Sequence, residues 1–180
     1  MSIAFMPGTS KPVASEFEEL YREHSRMVYR TAYTITGNHQ DADDVLQNIF
    51  VALLERRKPS DLGTNPRAYL YRAAVNMSLT TIRSRNRRRL ATGIELLEAP
   101  ALATDAESDE HIHRSLRDAV ARLKPRAVEM LILRYQQGLS DMEIATMLGK
   151  SRGTVAVTLY RTRERLKKML GVSSGGNDEA

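Results

Sequence analysis

Basic side chains gather in two dense groups along this chain. Arg161, Arg163, Arg165, Lys167 and Lys168 crowd the end of one segment, and Arg83, Arg85, Arg87, Arg88 and Arg89 put five arginines within seven residues. Like charges at this density repel unless an anionic partner answers them, and the phosphodiester backbone is such a partner. The first group closes a patterned stretch, SDMEIATMLGKSRGTVAVTLYRTR, residues 140–163. Ser140 followed by Glu143 is a capping box that starts a helix. Ala145 is small where two helices must approach, and Gly149 supplies a left-handed residue for the turn. Ser151 then caps a second helix, anchored by Val155 and Leu159 at helical spacing. A second helix held at a fixed angle and carrying basic side chains is a probe for the major groove. A tight hairpin in any all-α domain shares the caps and the glycine, but not the run of cations.

The second arginine group ends a helix that also carries Tyr69, Tyr71, Arg72 and Asn76. Cations are welcome at a helix C-terminus, yet five arginines exceed what a helix end needs. Aromatic rings beside cations can hold unstacked bases, and an amide can read a base edge, although tyrosines at helical spacing more often pack in a core. Enzyme signatures are missing. His24, His39, His111 and His113 are the only histidines, and none has the spacing of a zinc-binding helix. The DADD run, residues 41–44, is explained by its place at a helix start, where the dipole favours carboxylates. There is no glycine-rich phosphate loop and no nucleophile elbow. The expectation is a protein without catalysis, metal, cofactor or small-molecule substrate.

Composition agrees with a nucleic-acid partner. The chain has 180 residues, with 27 Lys+Arg against 22 Asp+Glu, and 21 of the 27 are arginine. Guanidinium forks suit phosphates and guanine edges, but high-GC coding would give the same bias. With no cysteine, neither a disulfide framework nor a thiolate metal site can form, which fits a reducing cytoplasm. No apolar run approaches a bilayer span, and the N-terminus lacks a basic region before an apolar core. A soluble, cytoplasmic protein with no membrane insertion is expected.

Helical periodicity runs through most of the chain, with no strand-period alternation and no internal repeat. Residues 1–14, with Pro7, Gly8, Thr9, Ser10 and Pro12, read as a mobile tail. A first helix carries Phe17, Leu20, Tyr21, Met27, Val28 and Ile35 on one face and stops at Gly37. A second begins near the DADD run, with Val45, Leu46, Ile49, Phe50, Leu53 and Leu54 as a wide apolar stripe. Pro59, Gly63 and Asn65–Pro66 mark a loop, with Pro66 suited to the first position of a third helix. That helix carries Ala68, Leu70, Ala73, Ala74, Met77 and Ile82. Residues 91–110 hold six carboxylates and no cation, and read as a flexible acidic linker. The helical pattern resumes from His111 to Leu170, and the tail 171–180 reads as disordered. The predicted fold is all-α: two small helical domains, 15–90 and 111–170, joined by the linker.

Three segments in order carry a family resemblance: DADDVLQNIFVALLE, NPRAYLYRAAVNMSLTTIRSRNRRR and LKPRAVEMLILRYQQGLSDMEIATMLGKSRGTVAVTLYRTRERL. Together they resemble the bacterial RNA polymerase sigma factors of the sigma-70 family. With two domains and a short linker, the chain is most similar to their extracytoplasmic-function (ECF) group. The resemblance covers about residues 15 to 170 and implies a sigma2-like and a sigma4-like domain.

The resemblance also implies partners and sites. The second helix would bind the clamp helices of the largest polymerase subunit through Asp44, Val45, Gln47, Asn48, Phe50 and Val51, with Val45, Leu46 and Phe50 mainly packing. Asn48 replaces the family's usual glutamate. The loop 59–65 and the third helix would take up a base flipped from the minus-ten element, with Tyr69, Arg72, Asn76, Thr80, Arg83, Arg87 and Arg88 on the DNA. Tyr69 stands for a common tryptophan, and Thr80 for an Asp or Asn. The helix after Ser151 would enter the minus-thirty-five element with Ser151, Arg152, Thr154, Thr158, Arg161 and Arg163. Ala156 and Thr158 replace a frequent Lys and Arg, which shifts weight to apolar contacts, DNA shape and phosphate anchoring. The flap of the second-largest subunit, promoter DNA and an anti-sigma factor complete the implied partners. The rivals are a stand-alone helix-turn-helix transcriptional regulator, for which no dimerisation helix is evident, and a non-DNA adaptor that meets acidic protein.

Overall fold

The computed structural model describes residues 13–55, 65–91 and 105–172. Among them are seven helices and no strand: α1 (Val13–Thr36), α2 (His39–Glu55), α3 (Pro66–Ala91), α4 (Asp105–Ala121), α5 (Pro125–Tyr135), α6 (Asp141–Leu148) and α7 (Arg152–Met169). The expected all-α class holds. The residues read as tails lie almost wholly outside the described residues, as do most of the loop 59–65 and residues 92–104 of the expected linker. One boundary differs: α4 starts at Asp105, not at His111. The last six residues of the acidic stretch thus belong to the helix.

Local chemistry sets the helix ends. Gly37 has φ 63°, and its N–H closes α1 on the Tyr33 carbonyl at 2.8 Å. Asn38 Oδ1 then accepts from the Asp41 N–H at 3.0 Å, and Asn65 Oδ1 accepts from Ala68 at 2.9 Å. Both asparagines satisfy donors that a helix start leaves orphaned. Pro66 and Pro125 occupy first helical positions, where a missing N–H costs nothing.

The first three helices enclose one apolar core, built from Val28, Ala32, Ala42, Val45, Ile49, Phe50, Leu53, Leu70 and Ala74. Phe17 and Tyr21 meet Phe50 edge-on, with centroids 5.9 and 4.8 Å apart. The second core contains Leu123, Val128, Ile132, Leu133, Ile144, Val155 and Leu159 of the later helices, but it also includes Ile35 of α1 and Tyr71, Val75, Leu79 and Ile82 of α3. Helix α3 therefore belongs to both cores. The sequence pattern marked the face toward the first core together with Ile82 but missed Tyr71, Val75 and Leu79, all buried to 1 % exposure or less.

Gly149, the turn residue of the helix-turn-helix, lies at φ 62° and ψ 45°, and a Cβ there would meet nothing within 4 Å. Gly149→Ala therefore tests the backbone alone. It is expected to cost about 1 kcal/mol and to lower the urea midpoint with the slope unchanged.

Candidate nucleic-acid interface

The helix-turn-helix forms as its sequence predicts. Ser140 Oγ accepts from the Glu143 N–H at 3.3 Å, and Glu143 Oε2 accepts from the Ser140 N–H at 2.8 Å. The Ser140 hydroxyl also donates to Glu143 Oε2 at 2.7 Å, and this bond together with the one from the Ser140 N–H holds the Glu143 carboxyl below the ordinary carboxylate range. Ser151 Oγ caps α7 by accepting from the Thr154 N–H at 3.1 Å. Ile144 and Ala145 of α6 pack with Val155 and Leu159 of α7, all buried, so the angle between the helices is set by apolar contact. The first half of α7 leaves outside Arg152, Gly153, Thr154, Ala156, Val157 and Tyr160, followed by Arg161.

The sequence-predicted residues divide on this surface. Arg152, Thr154 and Arg161 are exposed, whereas Thr158 is half-buried and its carbonyl accepts from the Thr162 hydroxyl at 2.6 Å. Ser151 is exposed but engaged as a cap. Arg163 turns toward α5 and donates to the Tyr135 hydroxyl at 3.4 Å. Val157 and Tyr160 were missed. They are 49 % and 60 % exposed, one and two turns past Gly153 and Arg152, and offer apolar surface to a thymine methyl. Their signal was available: both fall outside the Val155–Leu159–Thr162 stripe.

On α2 the helical period separates a packing group from an outward one. Val45 and Phe50 are 1 % and 3 % exposed and fill the first core, so neither offers a surface to a partner. Asp44, Gln47, Asn48 and Val51 lie together on the outer face, at positions i, i+3, i+4 and i+7. Leu54, 51 % exposed, extends that strip and was missed, because it was counted with the core stripe. Asp41 is withdrawn from it by an ion pair to Arg85 at 2.6 Å.

Helix α3 departs most from expectation. Tyr71 is fully buried, with the Arg67 guanidinium 6.0 Å from its ring centroid, so it is a core residue and not a base platform. Tyr69 is half-buried against the first core. Thr80 donates its hydroxyl back to the Asn76 carbonyl at 2.9 Å. Arg83 donates Nε and Nη2 to the carbonyls of Ala121 and Leu123 at 2.9 and 2.8 Å. Arg72 Nε lies 3.8 Å from Glu129 of α5. Arg72, Asn76 and Glu129 line a cleft of about 380 Å³ between α3 and the start of α5. Arg87 and Arg88 remain on the outside.

Comparison with known proteins bears on this arrangement. The family described as Sigma-70 region 2 matches residues 20–88, and Sigma-70, region 4 matches residues 113–166. The RNA polymerase sigma-E factor of Streptomyces coelicolor is 31 % identical over 156 residues, covering 86 % of this chain and 86 % of that protein. The chain belongs to the ECF group of the sigma-70 family. The ECF RNA polymerase sigma factor SigE of Mycolicibacterium smegmatis is 32 % identical over 162 residues, covering 88 % of this chain and 63 % of the relative. This sigma factor thus spans about three-fifths of the length of SigE, and likewise of BldN of Streptomyces coelicolor, at 61 %. The fold resembles that of the sigma factor RpoE in complex with the anti-sigma factor NepR from Bartonella quintana, with a TM-score of 0.53 at 21 % identity over 88 % of this chain and 99 % of the other.

In these terms α1–α3 form region 2 of the sigma factor, and α4 to α7 carry region 4. No helix among the described residues is long and apolar enough to cross a membrane.

Sequence reasoning overlooked Glu129. It is 3 % exposed, and its Oε1 has no hydrogen-bond partner. Burial pushes its carboxyl above the ordinary range, while Arg72 and Arg126 pull it back. The folded form therefore holds this proton more readily than the unfolded chain does. The resulting stabilisation is present below the unfolded carboxylate range and is lost as pH rises through the raised value. Glu129→Gln is expected to be more stable than the parent at neutral pH, and the gap should close in acid. Equal thermal midpoints at neutral pH would count against a costly buried charge.

Proposed function

We propose that this protein is a transcription initiation factor that binds core RNA polymerase, directs it to promoters and helps open the duplex, without chemistry of its own. The observation that carries the reading is the pairing of two separate outward surfaces in one chain. The α2 strip of Asp44, Gln47, Asn48, Val51 and Leu54 faces away from the core, as does the α7 probe of Arg152, Thr154, Val157, Tyr160 and Arg161. A regulator acting on duplex DNA alone has no use for the first surface. In this reading the strip meets the clamp helices of the largest subunit, the region 4 helices meet the flap of the second-largest subunit, and α7 enters the minus-thirty-five major groove. The α3 face with Arg72, Asn76, Arg83, Arg87 and Arg88 takes the melted minus-ten strand, with Tyr69 at its edge. Base flipping costs a few kcal/mol, offset by pocket contacts and backbone charge neutralisation.

An anti-sigma factor is the regulator we expect, since a sigma factor of similar fold has been seen with NepR. A surface suited to an apolar helix lies between α1, α4, α5 and α7, where Leu116, Val120, Leu131 and Tyr135 line a groove of about 310 Å³. The site of action follows from the partners and is the cytoplasm.

Transcription in vitro with purified core polymerase on genomic fragments tests the reading. New transcripts with defined starts are expected only when the protein is present. Asp44→Arg should abolish core binding while leaving the far-UV circular dichroism intact. Arg161→Ala should weaken promoter binding of the holoenzyme about tenfold, the scale of one lost charge-assisted contact, with core affinity unchanged. A protein that forms no complex with core overturns the proposal.

A further inference from the structure

The arginines at the end of α3 do not share one fate. Arg83 is bonded to the end of α4, and Arg87 is exposed. Arg85 and Arg89, one helical turn apart, instead line a polar pocket of about 290 Å³ together with Arg114 and Arg117 of α4. The α1–α2 turn at Gly37 closes another wall, with Asn86, Glu110 and Asp118 beside it. None of these residues belongs to the polymerase or promoter surfaces proposed above. The volume is close to the ~300 Å³ at which small-ligand sites begin.

Oxyanions are already held here. Arg85 donates to Asp41 Oδ2 at 2.6 Å, Arg117 to Glu110 Oε1 at 3.0 Å, and Asn86 Nδ2 to Asp118 Oδ1 at 2.8 Å. Four guanidiniums thus converge with two lining carboxylates and Asp41 behind Arg85, so the cations outnumber these carboxylates. Glu110 is the replaceable one. Its side chain is 60 % exposed, and an ion pair with so exposed a partner is worth little in water. Gly37 gives Arg117 its seat, since a Cβ there would lie 2.5 Å from Nη1. The lining holds no aromatic ring and no large apolar side chain. A nucleobase or an acyl chain finds nothing to pack on. What the walls match is a short chain of linked phosphates, whose oxygens can take more than one guanidinium fork at once.

We propose that this pocket binds a compact polyphosphate anion of two or three linked phosphates, held by Arg114 and Arg117 of α4 against Arg89 of α3, with the anion displacing Glu110 from Arg117. Arg85 keeps its bond to Asp41 and steadies the wall. The site reads the phosphate chain itself, whether free or carried as the tail of a nucleotide. Because the walls come from the α1–α2 turn, α3 and α4, occupancy stabilises the folded protein by mass action. The site does not depend on which promoter elements the protein reads.

Isothermal titration of the full chain with sodium tripolyphosphate at physiological ionic strength tests the site. One-to-one binding is expected, together with a rise in the thermal midpoint. Arg114→Gln and Arg117→Gln should each weaken binding about tenfold, the scale of one lost charge-assisted contact. Lys168→Gln removes the same charge from the exposed face of α7 and should leave binding nearly unchanged, because charges outside the pocket are screened. Glu110→Gln should strengthen binding about threefold, since Arg117 loses an exposed internal competitor; a gain of this kind cannot come from a folding defect. Glu164→Gln, the same charge change away from the pocket, should give no such gain. ATP should bind no more tightly than tripolyphosphate, and a clear preference for ATP would overturn the claim that the phosphate chain alone is read. Nucleic acid is the other source of closely spaced phosphates. Single-stranded DNA of mixed sequence should neither displace tripolyphosphate nor lose affinity in Arg117→Gln. If it does both, the pocket is part of the DNA surface and the separate site is overturned. Equal weakening by Lys168→Gln and Arg117→Gln overturns it as well, as does the absence of saturable binding.

Discussion

Helix α3 has to complete two cores at once, and the rest of the structure follows from that constraint. Its Leu70 and Ala74 close the core of the first three helices, while Tyr71, Val75, Leu79 and Ile82 close that of the later ones. Each large side chain fully buried here is worth about 2 kcal/mol relative to exposure, so the seam between the two regions is held chiefly by apolar area. A helix covered on two sides has little free surface. What remains is a strip with Arg72, Asn76 and Thr80 and the arginine-rich end.

Polar contacts around the seam decide its register more than its strength. Arg83 satisfies two carbonyls that the end of α4 leaves open, and Arg85 joins Asp41 to the Thr36 carbonyl. The approach of Arg117 to Gly37 is so close that a Cβ would lie 2.5 Å from its guanidinium. Gly37 thus both ends α1 with a positive φ and makes room for α4. Glu129 is the exception, a carboxylate in a place that favours its neutral form. Rim contacts of this kind are individually weak in water.

The division of labour among the basic residues follows. Arg152 and Arg161 stay outside on α7, and Arg87 on α3. Arg83, Arg85, Arg117 and Arg163 are each bonded within the protein. Charge density along the chain therefore overstates the surface offered to an anion. The basic balance that pointed to DNA is real, but part of it holds the chain together.

Much of the fold could be read directly from the chain. The capping box at Ser140, the left-handed Gly37 and Gly149, Pro66 at a helix start and the inner stripe of α7 act over a few residues, so their sequence neighbours determine them. The family motifs likewise located the α2 strip and the α7 probe, short of Leu54, Val157 and Tyr160. Two things were beyond local pattern. One was which side of α3 is buried, since a helix packed on two faces has no single apolar stripe to reveal it. The other was the fate of Arg83, Arg72 and Glu129, whose partners lie some 40 to 60 residues away in sequence. Side-chain type and spacing settle what a residue can bind; only the packing of distant helices decides whether that capacity is already used inside the protein.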